Sequence, residues 1–128
     1  MKLFDLLENL TNLSEIKKFI RSPQRNEWLE IGTMRVYVRK ATHLIDKETA
    51  KTFDIASIEQ DEDQRGKGEF RQLVVNLKKL LSDDALRGQI EGIYIENLLN
   101  DRLATSLPSM GFNLVPRTVP PCFYMKLK

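Results

Sequence analysis

Apolar residues Leu3, Leu6, Leu7, Leu10, Leu13, Ile16, Phe19 and Ile20 recur at spacings dominated by three and four. That is the period of an amphipathic helix, so the spacing predicts one helix, or two short ones broken near Thr11–Ser14. Ser22-Pro23-Gln24-Arg25-Asn26 breaks the pattern. From Trp28 the period becomes two: Met34-Arg35-Val36-Tyr37-Val38-Arg39 alternates as a half-buried strand does. Asp46-Lys47-Glu48-Thr49 reads as a turn, and Phe53 to Gln60 as the return strand, antiparallel to the first. Phe70, Leu73, Val74, Leu77, Leu80 and Leu81 then restore a helical stripe, with Lys78 and Lys79 near its end, where the helix dipole favours cations. Ile90 to Glu96 reads as a strand. Leu99, Leu103, Leu107 and Met110 predict a short helix, weakened by Pro108 and stopped by Gly111 as the residue just past its end. Phe112 to Val115 and Phe123 to Leu127 close the chain as two strands. The order ααββ(β)αβαββ describes an α/β chain with a mixed sheet.

Length and composition narrow the class. A chain of 128 residues fits one domain, here 1–128, with 1–25 as an N-terminal helical segment. Hydrophobic content of 41% and charged content of 30% are those of a soluble globular protein. No apolar run approaches the roughly 20 residues a bilayer span needs, and Asp5 and Glu8 interrupt any leader-like apolar stretch. Cys122 is the single cysteine, which excludes an internal disulfide and fits a cytoplasmic location. One cysteine and one histidine leave no thiolate–imidazole metal cluster, so no metal is expected. The net charge of +2 does not mark a nucleic-acid binder, and such a partner is not expected; Arg35, Arg39, Lys40, Lys78 and Lys79 are the residues an interaction surface would use.

The segment with the clearest chemistry is Gln64-Arg65-Gly66-Lys67-Gly68-Glu69-Phe70. It lies between a predicted strand and a predicted helix. Glycines let a backbone turn tightly and present its N–H groups, and a helix start adds the positive end of its dipole. Strand, glycine loop and helix in that order make an anion cradle suited to a phosphate-bearing cofactor. The kinase-type phosphate loop, Gly-x-x-x-x-Gly-Lys-Ser/Thr, is nowhere in the chain.

Two segments together resemble the GNAT superfamily of N-acetyltransferases. Arg65-Gly66-Lys67-Gly68-Glu69-Phe70 is similar to that family's pyrophosphate loop, Arg/Gln-x-x-Gly-x-Gly/Ala. Asn100 to Gly111-Phe112 is similar to its second signature, an asparagine after a strand followed by a helix closing on Gly-Phe. The likeness spans roughly residues 30 to 127. It implies a mixed, mostly antiparallel, splayed sheet flanked by helices, an α/β (α+β) fold. It also implies acetyl-CoA as co-substrate, and a primary amine of a small molecule or protein as acceptor. Through the resemblance, Ile58 to Gln60 would pair with the pantetheine arm, and the N–H groups of Gly66, Lys67, Gly68, Glu69 and Phe70 would hold the pyrophosphate. Arg65 and Lys67 would add charge-assisted contacts, and Asn100 would lie beside the cofactor. A second subunit, as in a homodimer, would help wall the acceptor site, because the N-terminal helices are short.

The chain departs from the family at two positions. Phe70 stands where the loop carries Gly or Ala, and would begin the apolar stripe. Leu107 stands where many members carry the tyrosine that protonates the departing thiolate; Tyr124 or Tyr94, or water, would have to replace it. For the base, Asp54 sits eleven residues ahead of Arg65, a spacing some members fill with glutamate, and Glu59 is a second candidate. Each residue also has a plainer reading. Asp54 suits a hydrogen-bonded strand position, and Glu59 with Asp61, Glu62 and Asp63 suits a solvated acidic loop. Asn100 suits a helix cap, His43 a sheet-surface or core position, Cys122 a small apolar packing role, and Trp28 core or lid packing. The alternative to an enzyme is a protein of the same fold that binds CoA with weak or no catalysis.

Overall fold

A computed structural model describes residues 14–61, 63, 68–82, 89–96, 106–118 and 120–127. Its elements run in the order α1 (14–21), β1 (Asn26–Ile31), β2 (Met34–Ile45), β3 (Glu48–Gln60), α2 (Glu69–Leu81), β4 (Gly92–Ile95), a 3₁₀ turn (Leu107–Met110), β5 (Asn113–Leu114) and β6 (Phe123–Lys126). The strands form one six-stranded sheet in the order β1-β2-β3-β4-β6-β5. Only β3 and β4 run parallel; the other neighbours are antiparallel. The mixed, mostly antiparallel sheet with helices is the expected α+β class. Among the described residues no helix is long and apolar enough to cross a membrane.

The hairpin β2–β3 dominates the sheet. Its register runs from Ile45↔Glu48 to Met34↔Gln60 around a two-residue turn, Asp46-Lys47, both at positive φ (49° and 70°). Such turns match the twist of the strands they join. The return strand therefore starts at Glu48, five residues ahead of the Phe53 expected from the apolar pattern. Near the middle the register slips: Tyr37 pairs with Ser57, but Val38 pairs with Ile55. Ala56 is thus an extra residue on β3, a β-bulge.

One face of the sheet carries the core. Val36 and Val38 of β2, Phe53 and Ile55 of β3, and Ile93 and Ile95 of β4 are at most 1% exposed. They share one cluster with Ile16, Phe19 and Ile20 of α1 and with Phe70, Leu73, Val74, Leu77 and Leu81 of α2. Phe19 meets Phe53 edge-on at 6.2 Å between centroids. Lys40 ties α1 to the sheet by donating to the carbonyls of Phe19 (3.0 Å), Ile20 (3.3 Å) and Ser22 (2.6 Å) at the helix end. Burial, then the nearby Arg25 charge, lowers the Lys40 pKa.

Two expected details come out differently. Of the predicted 99–110 helix, residues 99–105 lie outside the described residues, and the described end is a 3₁₀ turn. Pro108 at its start has no N–H to give, and Gly111 (φ 97°) closes the turn in the left-handed region. Trp28 is not core or lid packing: at 37% exposure it lies on the opposite sheet face, against Tyr37 at 5.1 Å and under the Arg35 guanidinium at 4.5 Å. The predicted helix residues before position 14 also fall outside the described set.

Candidate functional site

The ladder between β3 and β4 is short. It begins at Thr52↔Gly92, ends at Ile55↔Ile95, and is closed by the Glu96 N–H donating to the Ile55 carbonyl at 3.0 Å. Strand β3 continues to Gln60 against β2 alone among the described strands. The described ladder ends level with the Ala56 bulge, and Ile58, Glu59 and Gln60 lie beyond it.

A few residues further, α2 begins. Gly68 is its N-cap at φ 80° and ψ 8°, with no side-chain cap. Among the described residues nothing lies within 4 Å of the place a Cβ would take at Gly68. The Glu69 carboxylate turns back to the β1–β2 turn, accepting from the Thr33 N–H (2.9 Å) and the Thr33 hydroxyl. That contact fixes the helix start against the end of the sheet. Phe70 is buried in the core at 6% exposure, so its side chain begins the stripe, and only its backbone faces the helix start. These features fit an anionic group at the head of α2. Arg65, Gly66, Lys67 and Asn100 lie outside the described residues.

Opposite the core, the sheet carries a polar cluster centred on Asp54. Strand alternation sets it there, because Phe53 and Ile55 on either side point into the core. Asp54 is 0% exposed. Its Oδ2 accepts from Arg39 Nε and Nη2, both at 3.2 Å, and from His43 Nε2 at 2.7 Å; its Oδ1 accepts from the Thr52 hydroxyl. Arg39 also pairs with Glu96, the residue that follows β4. Burial pulls the Arg39 pKa down, but Glu96 and Asp54 beside it outweigh that and hold it above the ordinary value. The His43 ring stacks on Tyr94 at 3.7 Å and 10°. Burial, then the Cys122 thiol beside its hydroxyl and the charges of Glu96 and Asp54, pushes the Tyr94 pKa well up. Among the described residues no buried side-chain nitrogen or oxygen lacks a partner.

Of the catalytic candidates, Asp54 alone stands in this cluster. Glu59 is an exposed residue facing Arg35 at 3.6 Å on the ladder. Tyr124 pairs with Tyr94, but its ring lies back over Gly92, where a Cβ would come within 2.3 Å of it. That points it toward the start of β4, away from Glu96. Burial, then Glu91, raises its pKa. Leu107 is 0% exposed in the core. Arg39, His43, Thr52 and Glu96 were not singled out as site residues by sequence pattern. The readable signal was the turn: a two-residue connection at Asp46-Lys47 sets Arg39 opposite Asp54.

No protein-family profile matches the sequence, and no curated protein matches it. Solved structures do. The chain is similar to a mutant of the AtaT toxin bound to the C-terminus of the antitoxin AtaR and acetyl-CoA, with a TM-score of 0.58 and 16% identity over 73% of this chain and 58% of that one. It is similar to AtaT complexed with acetyl-methionyl-tRNAfMet (TM-score 0.59, 15% identity, 73% and 62% covered). It is also similar to a KacTA–DNA complex (TM-score 0.60, 14% identity, 91% and 77% covered). The chain thus spans 58% of the first of these proteins. Likeness at such identity speaks for architecture and leaves function to the site. With its mixed six-stranded sheet, bulged β3 and glycine-led α2, this chain has the GNAT fold.

Proposed function

We propose that this protein is an acetyl-CoA-dependent N-acetyltransferase that moves an acetyl group directly to a primary amine. The observation that carries the reading is that β3 runs on past its described ladder with β4, through the Ala56 bulge to Gln60, and that the next described helix starts at Gly68. Backbone at Ile58 and Gln60 would pair with the pantetheine arm. The N–H groups at the head of α2, with Arg65 and Lys67, would take the pyrophosphate, and Asn100 would lie alongside. In transfer, the amine nitrogen attacks the thioester carbonyl carbon, a backbone N–H near the bulge holds the oxyanion, and the C–S bond breaks as the thiolate leaves. The acceptor enters the reading as a class. The AtaT complex with acetyl-methionyl-tRNAfMet adds an aminoacyl-tRNA amine to small-molecule and protein amines, so a nucleic-acid acceptor belongs on the test panel.

A second reading, a CoA-binding protein with weak or no catalysis, is favoured by one feature: Leu107 is enclosed in the core, so no hydroxyl comes from that position. One experiment separates the two. Acetyl-CoA is incubated with a panel of primary amines and methionyl-tRNA while free thiol is followed. Release that depends on the acceptor supports transfer; thermal stabilisation by CoA without release supports the binder. At a hundred times its dissociation constant CoA should add about 2.7 kcal/mol. Gly68→Val should remove that stabilisation, and retention would defeat the assigned pyrophosphate site.

A further inference from the structure

Every acceptor position of Asp54 that the cluster can reach is in use. Oδ2 takes two bonds from Arg39 and one from His43, and Oδ1 takes the Thr52 hydroxyl. The group is 0% exposed, so an incoming amine has no path to it. His43 is different. It is the single histidine of the chain, its side chain is 24% exposed, and it meets Asp54 through Nε2 alone. A carboxylate accepts, so Nε2 is the donor in this contact, and in the neutral imidazole the lone pair then falls to Nδ1. The Tyr94 ring beneath, stacked at 3.7 Å, fixes the imidazole plane. An oriented imidazole with a buried carboxylate behind it is an arrangement for accepting a proton, because the carboxylate stabilises the imidazolium that forms.

We propose that His43 takes the proton of the acceptor amine and that Asp54 acts as its positioning residue. The inference rests on the acetyltransferase reading above. As the amine nitrogen bonds to the acetyl carbon, its proton passes to His43 Nδ1, directly or through one water. The C–S bond breaks, CoA leaves as thiolate and is protonated from solvent, and the imidazolium returns its proton to solvent. The charged and titratable groups that bear on His43 are Asp54 on β3, Tyr94 on β4, and, through Asp54, Arg39 on β2 with its partner Glu96.

The test pairs kinetics with spectroscopy on the full chain. With one histidine present, the imidazole ¹⁵N signals belong to His43; their couplings to the ring C–H protons tell Nδ1 from Nε2, and their shifts report which of the two holds the proton. The wild-type protein should show Nε2–H with a bare Nδ1, and Asp54→Asn should lose that preference. With the fastest acceptor of the panel, His43→Gln should lower kcat by about a hundredfold or more. It should leave the dissociation constant for CoA within about twofold of wild type, since the pyrophosphate cradle is untouched. His43→Ala should recover part of the rate when free imidazole is added, which a merely structural role would not give. If His43→Ala fails to fold, the folded His43→Gln variant and the ¹⁵N tautomer decide. Full kcat in His43→Gln, or a proton found on Nδ1 in the wild type, overturns this inference while leaving acetyl transfer intact. No acceptor-dependent thiol release by the wild type overturns the transfer reading and this inference with it.

Discussion

Asp54 and Ile55 are neighbours in sequence, both have 0% exposure, and they face opposite ways. On the Ile55 side, the sheet meets α1 and α2 through aliphatic and aromatic side chains, whose packing needs shape and volume. On the Asp54 side, Thr52, Arg39, His43, Glu96 and Tyr94 satisfy one another through hydrogen bonds, ion pairs and a stacked ring. Equal burial thus rests on two kinds of complementarity. The apolar face degrades gradually when atoms are removed, because each lost methylene costs its own share. The polar face fails by whole partners, because a buried charge left alone keeps its desolvation cost.

That contrast can be broken by substitution. Asp54→Ala takes His43, the Thr52 hydroxyl and one side of Arg39 out of their hydrogen bonds while leaving Arg39 its Glu96 partner, and should cost about 3 kcal/mol in denaturant unfolding. Gly92→Ala, on the same face, drives a Cβ into the Tyr124 ring and should cost about 2 kcal/mol. Placing it in a Tyr124→Ala background should bring the added cost below about 1 kcal/mol, since the two sites share one contact. A cost unchanged in that background would show that the ring is not what fills the space. Ile55→Val, one residue from Asp54, removes a single methylene and should cost only about 1 kcal/mol. If Ile55→Val proves as damaging as Asp54→Ala, the distinction between the faces fails.

The smallest effect at neutral pH is one that appears only in alkali. The Tyr94 pKa is raised above its ordinary value of 10.0 by burial and by its neighbours. The unfolded chain therefore releases that proton first, and the stability present below pH 10 falls as pH climbs from there toward the folded value. Tyr124 is shifted in the same direction. Unfolding midpoints measured across pH 9 to 11 should decline in the wild type and decline less in Tyr94→Phe. An identical slope in the two proteins would remove Tyr94 from this account.

What the sequence reveals follows the same division. The stripe from Phe70 to Leu81 and the alternation from Met34 to Arg39 are legible because each is a local period written in apolar residues. Strand β3 was read short because its first part, Glu48-Thr49-Ala50-Lys51-Thr52, is mostly polar, and its strand character comes from the Asp46-Lys47 turn rather than from burial. Trp28 misled because aromatic residues suggest a core, while β1 is an edge strand whose second face is open. The Gly68 helix start could be anticipated from its glycines and position. The joining of His43 to Asp54 could not, since it depends on register across a hairpin and on the lean of two side chains. Asp54 is legible as a candidate only through the family resemblance, by its distance ahead of Arg65; its saturated hydrogen bonding is not legible in the sequence.

The Ala56 bulge has a consequence for insertion and deletion. Ile55 and Ile58 are three apart, an odd interval that would ordinarily send them to opposite sides of a strand, yet both lie against the core, Ile58 as a partly buried neighbour of it. The surplus residue absorbs the half-period. Deleting Ala56 would give a regular strand in which Ile55 and Ile58, now two apart, still face the core, while the local kink is lost and the run into Gly68 is one residue short. The bend ahead of the glycine loop, rather than the apolar face, is what such a deletion would change.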